Sequence, residues 1–236
     1  MAFQARDVMK RASTILQDSD AVRWPAIELH GYLNDGLREI VTIKPSANTK
    51  TVNLSMVEGT KQALPAQYTV LSRVVRNMAS PTAGASAIRP VARRDILDSQ
   101  IPGWQDSTVM PFAKNVVHVI HDLADPRTFY VVPGNNGTGL IEAVVGAMPA
   151  VNAPPANAGD QLVLDNYTNS VDIPDVYQNA LIDYVLYRAY SKDNRVAGAA
   201  QRAVAHFELF RNAVGGFAQA EAAISLSTYV NPPMAG

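Results

Sequence analysis

Four histidines, two acidic clusters and one glycine-rich turn are the places where this chain could carry chemistry, and each reads better as structure. His118 and His121 lie in an apolar run. Residues three apart share a face on a helix and point to opposite faces on a strand, and in either case no third ligand stands nearby, so the pair is a weak metal site. His30 and His206 stand singly on predicted helices and suit polar-face or interface positions. Pro133 to Gly139 lacks the Gly-Lys-[Ser/Thr] ending that a phosphate-binding loop needs to reach phosphate and Mg²⁺. Its Asn136-Gly137 supplies instead the positive φ angles of a tight β-hairpin turn. No serine sits in a Gly-x-Ser-x-Gly elbow. Asp95 and Asp98 are close, but Arg93 and Arg94 beside them fit a solvated helix start. Glycoside chemistry would need two carboxylates facing one cleft about 5 to 10 Å apart, and no pair stands out. Without cysteine there is no disulfide, thiolate nucleophile or thiolate metal ligand. The expectation is therefore no catalytic set, no cofactor and no metal.

The elements that would position these residues divide by period. Val8, Ala12 and Ile15 give residues of about 4–17 one apolar side, and Leu29, Leu33, Leu37 and Ile40 do the same for a second helix opening at Pro25. Gly31 and Gly36 inside it weaken the helix by about 1 kcal/mol each relative to Ala, which points to close packing there. Val52, Leu54 and Met56 alternate as a half-buried strand, and 116–123, 128–132 and 140–147 read as further strands, the last two joined as a hairpin. Val70, Val74 and Met78 recur at helical spacing, so 64–78 is expected to be a helix. The Pro/Ala/Asn stretch 149–159 is expected as an exposed connection. The strongest periodicity runs from Ile173 to Val214. Pro174 opens a helix carrying Tyr177, Leu181, Tyr184 and Arg188, and a second one carries Val196, Ala200, Ala203, Phe207, Phe210 and Val214 until Gly215-Gly216 stops it. Such a hairpin needs another surface over its apolar stripe. The fold class is thus α+β: N- and C-terminal helix pairs forming a bundle, packed with a central antiparallel β domain. The expected divisions are 1–48, 49–148, an exposed linker 149–171, the hairpin 172–216 joined to 1–48, and an extended arm 217–236.

Charge is balanced overall, with 20 Lys+Arg against 21 Asp+Glu, and nothing in it demands a nucleic acid or membrane. No run approaches the roughly 20 apolar residues of a membrane span, and the start lacks an apolar signal region, so the chain is expected to be made in the cytoplasm. Locally the charges segregate. Lys61, Arg73, Arg76, Arg89, Arg93 and Arg94 occur with no acid between Glu58 and Asp95, and Glu142, Asp160, Asp165, Asp172, Asp175 and Asp183 occur with no base between Arg127 and Arg188. The two blocks either satisfy one another within the chain or meet across a subunit interface.

Arg23-Trp24-Pro25 with Glu28-Leu29 and Leu33-Asn34, then Arg38-Glu39-Ile40-Val41 and Lys-Pro-Ser, resembles the start of small virion proteins of tailed bacteriophages. The central run Asp125-Pro126-Arg127-Thr128-Phe129-Tyr130-Val131-Val132-Pro133 belongs to the same pattern. So do Ile173-Pro174-Asp175, Asp183-Tyr184, Leu186 to Asp193, and Ala205-His206-Phe207 before Phe210. These are similar to the phage head-to-tail adaptor, or connector, family. The resemblance spans both ends and one central strand, and 50–115 departs from it. It implies a structural virion protein of the neck, assembled in the host cytoplasm. Copies would form a ring, twelvefold in the family's manner, beneath the portal protein and joined to tail or nozzle proteins, with genomic DNA passing through by weak non-specific contact. No membrane partner is implied.

Interface candidates are Arg73, Arg76, Arg89, Arg93, Arg94, Asp160, Asp165, Asp172 and Arg188, with the aromatics Tyr184, Tyr187, Tyr190, Phe207 and Phe210 as interface or core. Ile224, Leu226, Tyr229 and Val230 would anchor the arm on a partner. Two further readings stay open: another phage connector or tail-completion protein, and a nucleic-acid-binding module using the Arg73 to Arg94 block.

Overall fold

The computed structural model describes residues 3–90, 94–121, 124–193 and 196–227, with the side chains of 221–227 excepted. It is α+β. Among the described residues there are helices α1 (Ala5–Leu16), α2 (Ala26–Ile43), α3 (Arg94–Gln100), α4 (Gln178–Lys192) and α5 (Ala199–Ser227). The strands are β1 (Thr49–Ser55), β2 (Glu58–Ala63), β3 (Tyr68–Ser80), β4 (Ala83–Ala87), β5 (Arg89–Pro90), β6 (His118–His121), β7 (Thr128–Asn136) and β8 (Leu140–Ala147). The chain forms two compact units, one of residues 1–47 with 149–236 and the other of residues 48–148.

The first unit is helical, and α4 is its axis. Ala180, Leu181, Ile182, Tyr184, Val185, Leu186, Ala189 and Tyr190 are buried around the circumference of α4, and α1, α2 and α5 all pack on it. The other three helices are amphipathic. α1 turns Val8, Met9 and Ala12 inward and α2 turns Leu29, Leu33, Leu37 and Ile40 inward, into one core. Asp7 and Gln4 close a reciprocal capping box at the start of α1. Gly36 lets α2 approach α4, because a Cβ there would lie 2.9 Å from Tyr184 Cδ1. Gly31 has no such role, since nothing lies within 4 Å of a Cβ built on it.

α5 does not stop at Gly215-Gly216 but continues to Ser227. Tertiary packing overrides the low helix propensity of the glycines. Phe217, one residue beyond them, meets Tyr177 edge-on at 5.2 Å, and the buried Lys44 ammonium lies 5.4 Å from the Tyr177 ring centroid and 5.8 Å from that of Phe217. Lys44 also donates to the Tyr177 hydroxyl at 2.8 Å. Residues 217–227 are therefore helical rather than an extended arm. Ile224 and Leu226 lie on this helix, and Tyr229 and Val230 lie outside the described residues.

The stretch expected as a solvated connection is pinned down at one point. Asn152 is buried, its backbone N–H donates to Asn34 Oδ1 at 2.9 Å, and its Nδ2 donates to the carbonyls of Asn169 and Ser170. Tyr167 and Val171 are buried with it in the helical core.

The second unit is a β-sandwich. One sheet has the order β1-β8-β3-β4 and the other β2-β7-β6-β5. Leu54, Leu71, Val74, Ile141, Ala143 and Val145 of the first face Val119, Phe129 and Val131 of the second. All pairings are antiparallel except β5 with β6.

Two sequence expectations fail here for physical reasons. Residues 68–80 form a strand, not a helix. The β3–β8 register shifts between Tyr68 and Val70, between Leu71 and Arg73, and between Val74 and Arg76. Each bulge lengthens the local repeat, so the buried Leu71, Val74 and Asn77 fall at steps of three, which imitates helical spacing. β7 and β8 do not form a hairpin either, since they lie in opposite sheets. The fully buried Asn135 makes the corner between them: its Oδ1 accepts from the backbone N–H groups of Gly137 and Gly139, and its Nδ2 donates to the carbonyls of Ala113 and Lys114. Gly137 takes φ 82°, so the positive φ is present but serves an arch between sheets.

The two glycines of α2 should respond oppositely to alanine. Gly36→Ala is expected to lower stability by about 1 kcal/mol, because overpacking outweighs the gain in helix propensity. Gly31→Ala is expected to raise it by about 1 kcal/mol. Urea titration with unchanged m values checks both signs.

Candidate interaction surfaces

The aromatic residues of the C-terminal hairpin form a continuous seam. Tyr184 meets Phe210 at 5.0 Å and Tyr187 at 5.7 Å between ring centroids, and Tyr187 meets Phe207 at 4.7 Å. Phe210 is fully buried, and Tyr184 and Tyr190 are nearly so. These three serve the core of their own unit, and burial pushes the Tyr184 phenol above its ordinary pKa. Tyr187 and Phe207 are half-buried and keep an edge at the surface. Tyr190 stacks on His206 at 5.7 Å, and His206 Nδ1 lies 2.9 Å from Asp183 Oδ1, which ties α5 to α4.

A polar network runs along the other flank of α4. Lys192 reaches Glu28 Oε2 at 2.6 Å, the Tyr32 hydroxyl donates to Glu28 Oε1 at 2.6 Å, and the Arg188 guanidinium sits 5.3 Å over the Tyr32 ring with Asp35 at 3.6 Å. Partial burial pulls the Glu28 carboxyl up, but the hydrogen bonds from Lys192 and Tyr32 outweigh it and hold the group below its ordinary range. Arg23 pairs with Asp193 at the end of the same face. Sequence reasoning missed this network, whose members lie more than 150 residues apart across the helix pairs. Only Arg188 was among the candidates.

Among the described residues the segregated charge blocks meet between β3 and β8. Arg76 on β3 and Glu142 on β8 are register partners and form an ion pair at 2.9 Å. The other acids are engaged elsewhere. Asp165 pairs with Lys10, which holds its carboxyl below the usual range, Asp172 accepts from the Ala150 N–H at 3.0 Å, and Asp160 accepts from Asn157 and Asn166. Arg94 pairs with Asp98 one turn on and lies 4.7 Å from the Tyr130 ring centroid beside the buried Trp104. Arg73 and Arg89 are exposed and make no ion pair among the described residues, and Arg93 lies outside them.

His118 and His121 occupy opposite faces of β6, one with Ile120 and the other with Val119. Among the described residues no cluster of three or more His, Asp or Glu is placed to hold a metal ion, and no helix is long and apolar enough to cross a membrane. The hollows differ in lining: one of about 460 Å³ lies between Lys10, Ser13, Thr14 and Asp165, and one of about 400 Å³ on α5 is mainly apolar, lined by Ala200, Val204 and Ala205. In neither do a base, a nucleophile and an oxyanion donor converge among the described residues.

The SU10 adaptor protein family model matches residues 3–232. The chain belongs to the SU10 adaptor protein family. No curated protein matches it. The match to this adaptor family runs through the helices, both sheets and the segment 50–115 that carried no resemblance of its own in the sequence.

Two measurements check the site's physics. Phe210→Ala is expected to cost about 3–5 kcal/mol and Phe207→Ala less than half of that, read by thermal unfolding. Burial holds His30 below the ordinary histidine pKa, its Nε2 sitting 3.0 Å from Asn152 Oδ1. The unfolded chain therefore takes up the proton first. Stability contributed by neutral His30 is fully present above about pH 6.5 and is lost as pH falls from there towards the lower folded-state value. A His30→Gln variant should flatten that part of the curve, over which His121, also lowered by burial, acts in the same direction.

Proposed function

We propose that this protein is a head-to-tail adaptor of a tailed bacteriophage, a structural component of the virion neck. Copies form a ring, twelvefold in the family's manner, beneath the portal protein. The ring joins the capsid vertex to tail or nozzle proteins, with the genome passing through it. The carrying observation is the match of one adaptor family across 3–232. The chemistry of the surface supports the reading: many of its titratable groups are engaged in ion pairs and hydrogen bonds that shape the fold. The adaptor role needs neither cofactor nor catalysis. On this reading Arg73 and Arg89 are among the exposed cations able to touch the passing duplex, and contact made to phosphates alone is readily broken by salt. A different connector or tail-completion role would use the same surfaces on other neighbours.

The same two exposed arginines favour the second reading, a nucleic-acid-binding module. Light scattering of the purified chain, alone and mixed with the portal assembly of the same phage, separates the two. The adaptor reading expects a stoichiometric complex and feeble DNA binding. A chain that ignores the portal and binds duplex DNA with a steep salt dependence would transfer the assignment to the nucleic-acid reading.

A further inference from the structure

α2 and α5 both pack on α4, and each turns one face away from it that nothing in its own unit covers. On α2 the outward stripe is Ile27, Gly31, Arg38 and Thr42, at helical spacing and all exposed. Ile27 is 41% exposed, and the space over Gly31 is open. On α5 the outward face carries Val204, Ala205, Glu208 and Leu209, with Val204 58% and Leu209 54% exposed, and a shallow hollow of about 400 Å³ is lined by Ala200, Val204, Ala205 and Glu208. The α2 face thus sets Ile27 and the open glycine beside Arg38, and the α5 face sets Val204 and Leu209 beside Glu208, with Arg211 exposed one turn on. Arg38 and Glu208 make no ion pair among the described residues.

We propose that the outer face of α5 in one copy docks on the outer face of α2 in a second copy of this chain, head to tail. Val204 and Leu209 cover the open surface at Gly31 and Ile27, and Glu208 pairs with Arg38 of the neighbour. The two faces are unlike, so the contact is heterologous, and a succession of such contacts ends only by closing into a ring. A two-fold contact of α5 with α5, with Glu208 meeting Arg211, would leave the α2 face bare. The head-to-tail arrangement covers both. A contact of this composition buries a modest apolar patch and uses its charges to set register. The proposal rests on the adaptor reading for the expectation that copies assemble, but the surfaces are identified from the helices themselves.

The cysteine-free chain permits a direct test. Gly31→Cys and Val204→Cys both fall on exposed positions and are compatible with the fold. The full-length single variants are mixed and mildly oxidised. The expected result is a covalent dimer that neither variant gives alone, and a ladder of multiples when both substitutions are on one chain. Adding Glu208→Arg should lower the ladder yield by about tenfold, and Arg38→Glu in the same chain should restore it. Absence of the mixed cross-link, whether the chain is monomeric or oligomeric, or a cross-link formed by Val204→Cys alone, overturns the proposal. Portal binding without the mixed cross-link discards this interface and leaves the adaptor reading standing. A ladder without portal binding retains the interface and discards that reading.

Discussion

α4 buries apolar residues on most of its circumference, leaving Asn179, Arg188 and Lys192 to the water. Its buried residues, from Ala180 to Tyr190, lie on most sides of the helix, so three other helices must cover it before any of the unit is stable. That requirement draws residues 5–43 and 178–217, which are separated by the whole β-sandwich in sequence, into one core. The close approach at Gly36, the aromatic seam from Tyr184 to Phe210 and the Lys44 ammonium beside Tyr177 and Phe217 are all consequences of covering this one helix. The polar groups drawn in with it are satisfied locally, as Asn152, Asn34 and His30 show.

The functional character follows from what remains. Groups that might have supplied chemistry are engaged with one another: Glu28 with Lys192 and Tyr32, Asp183 with His206, Arg76 with Glu142, Asp165 with Lys10. Surface pairs of this kind add about 1 kcal/mol or less each, and their value lies in fixing the orientation of helix against helix and strand against strand. The exposed surface among the described residues includes the outward sides of α2 and α5 and Arg73 and Arg89. The chain belongs to an adaptor family.

Helices were legible in the sequence because their apolar spacing is strong and local. The stripe of α2 stands where period alone puts it, with Asp18 and Pro25 marking the break from α1; in α1 Val8 and Ala12 are buried but Ile15 is exposed and Leu16 is buried instead, and α4 begins at Gln178 after a 3-10 turn over Asp175–Tyr177. The failures share a cause in tertiary structure. Bulges in β3 converted a period of two into an apparent period near three, and pairing with β8 decided the matter. Asn136-Gly137 has the composition of a hairpin turn, yet Asn135 beside it organises a corner by bonding to Ala113 and Lys114, 22 and 21 residues earlier. Gly215-Gly216 has the composition of a stop, and Phe217 beyond it has a pocket to fill. Of the candidate surface, the aromatic seam could be foreseen as a set but not apportioned between core and interface. The outward stripes of α2 and α5 carry too weak a signal, an isolated Ile27 or Val204, to be read without knowing which sides of the two helices face α4.

Imaging the neck of the virion whose genome encodes this chain tests the account most directly, by electron cryomicroscopy at a resolution that traces helices. A closed ring of copies between portal and tail, each showing three helices packed on α4 and a two-sheet sandwich, is the predicted result. A particle with a complete neck from which this fold is absent would contradict it.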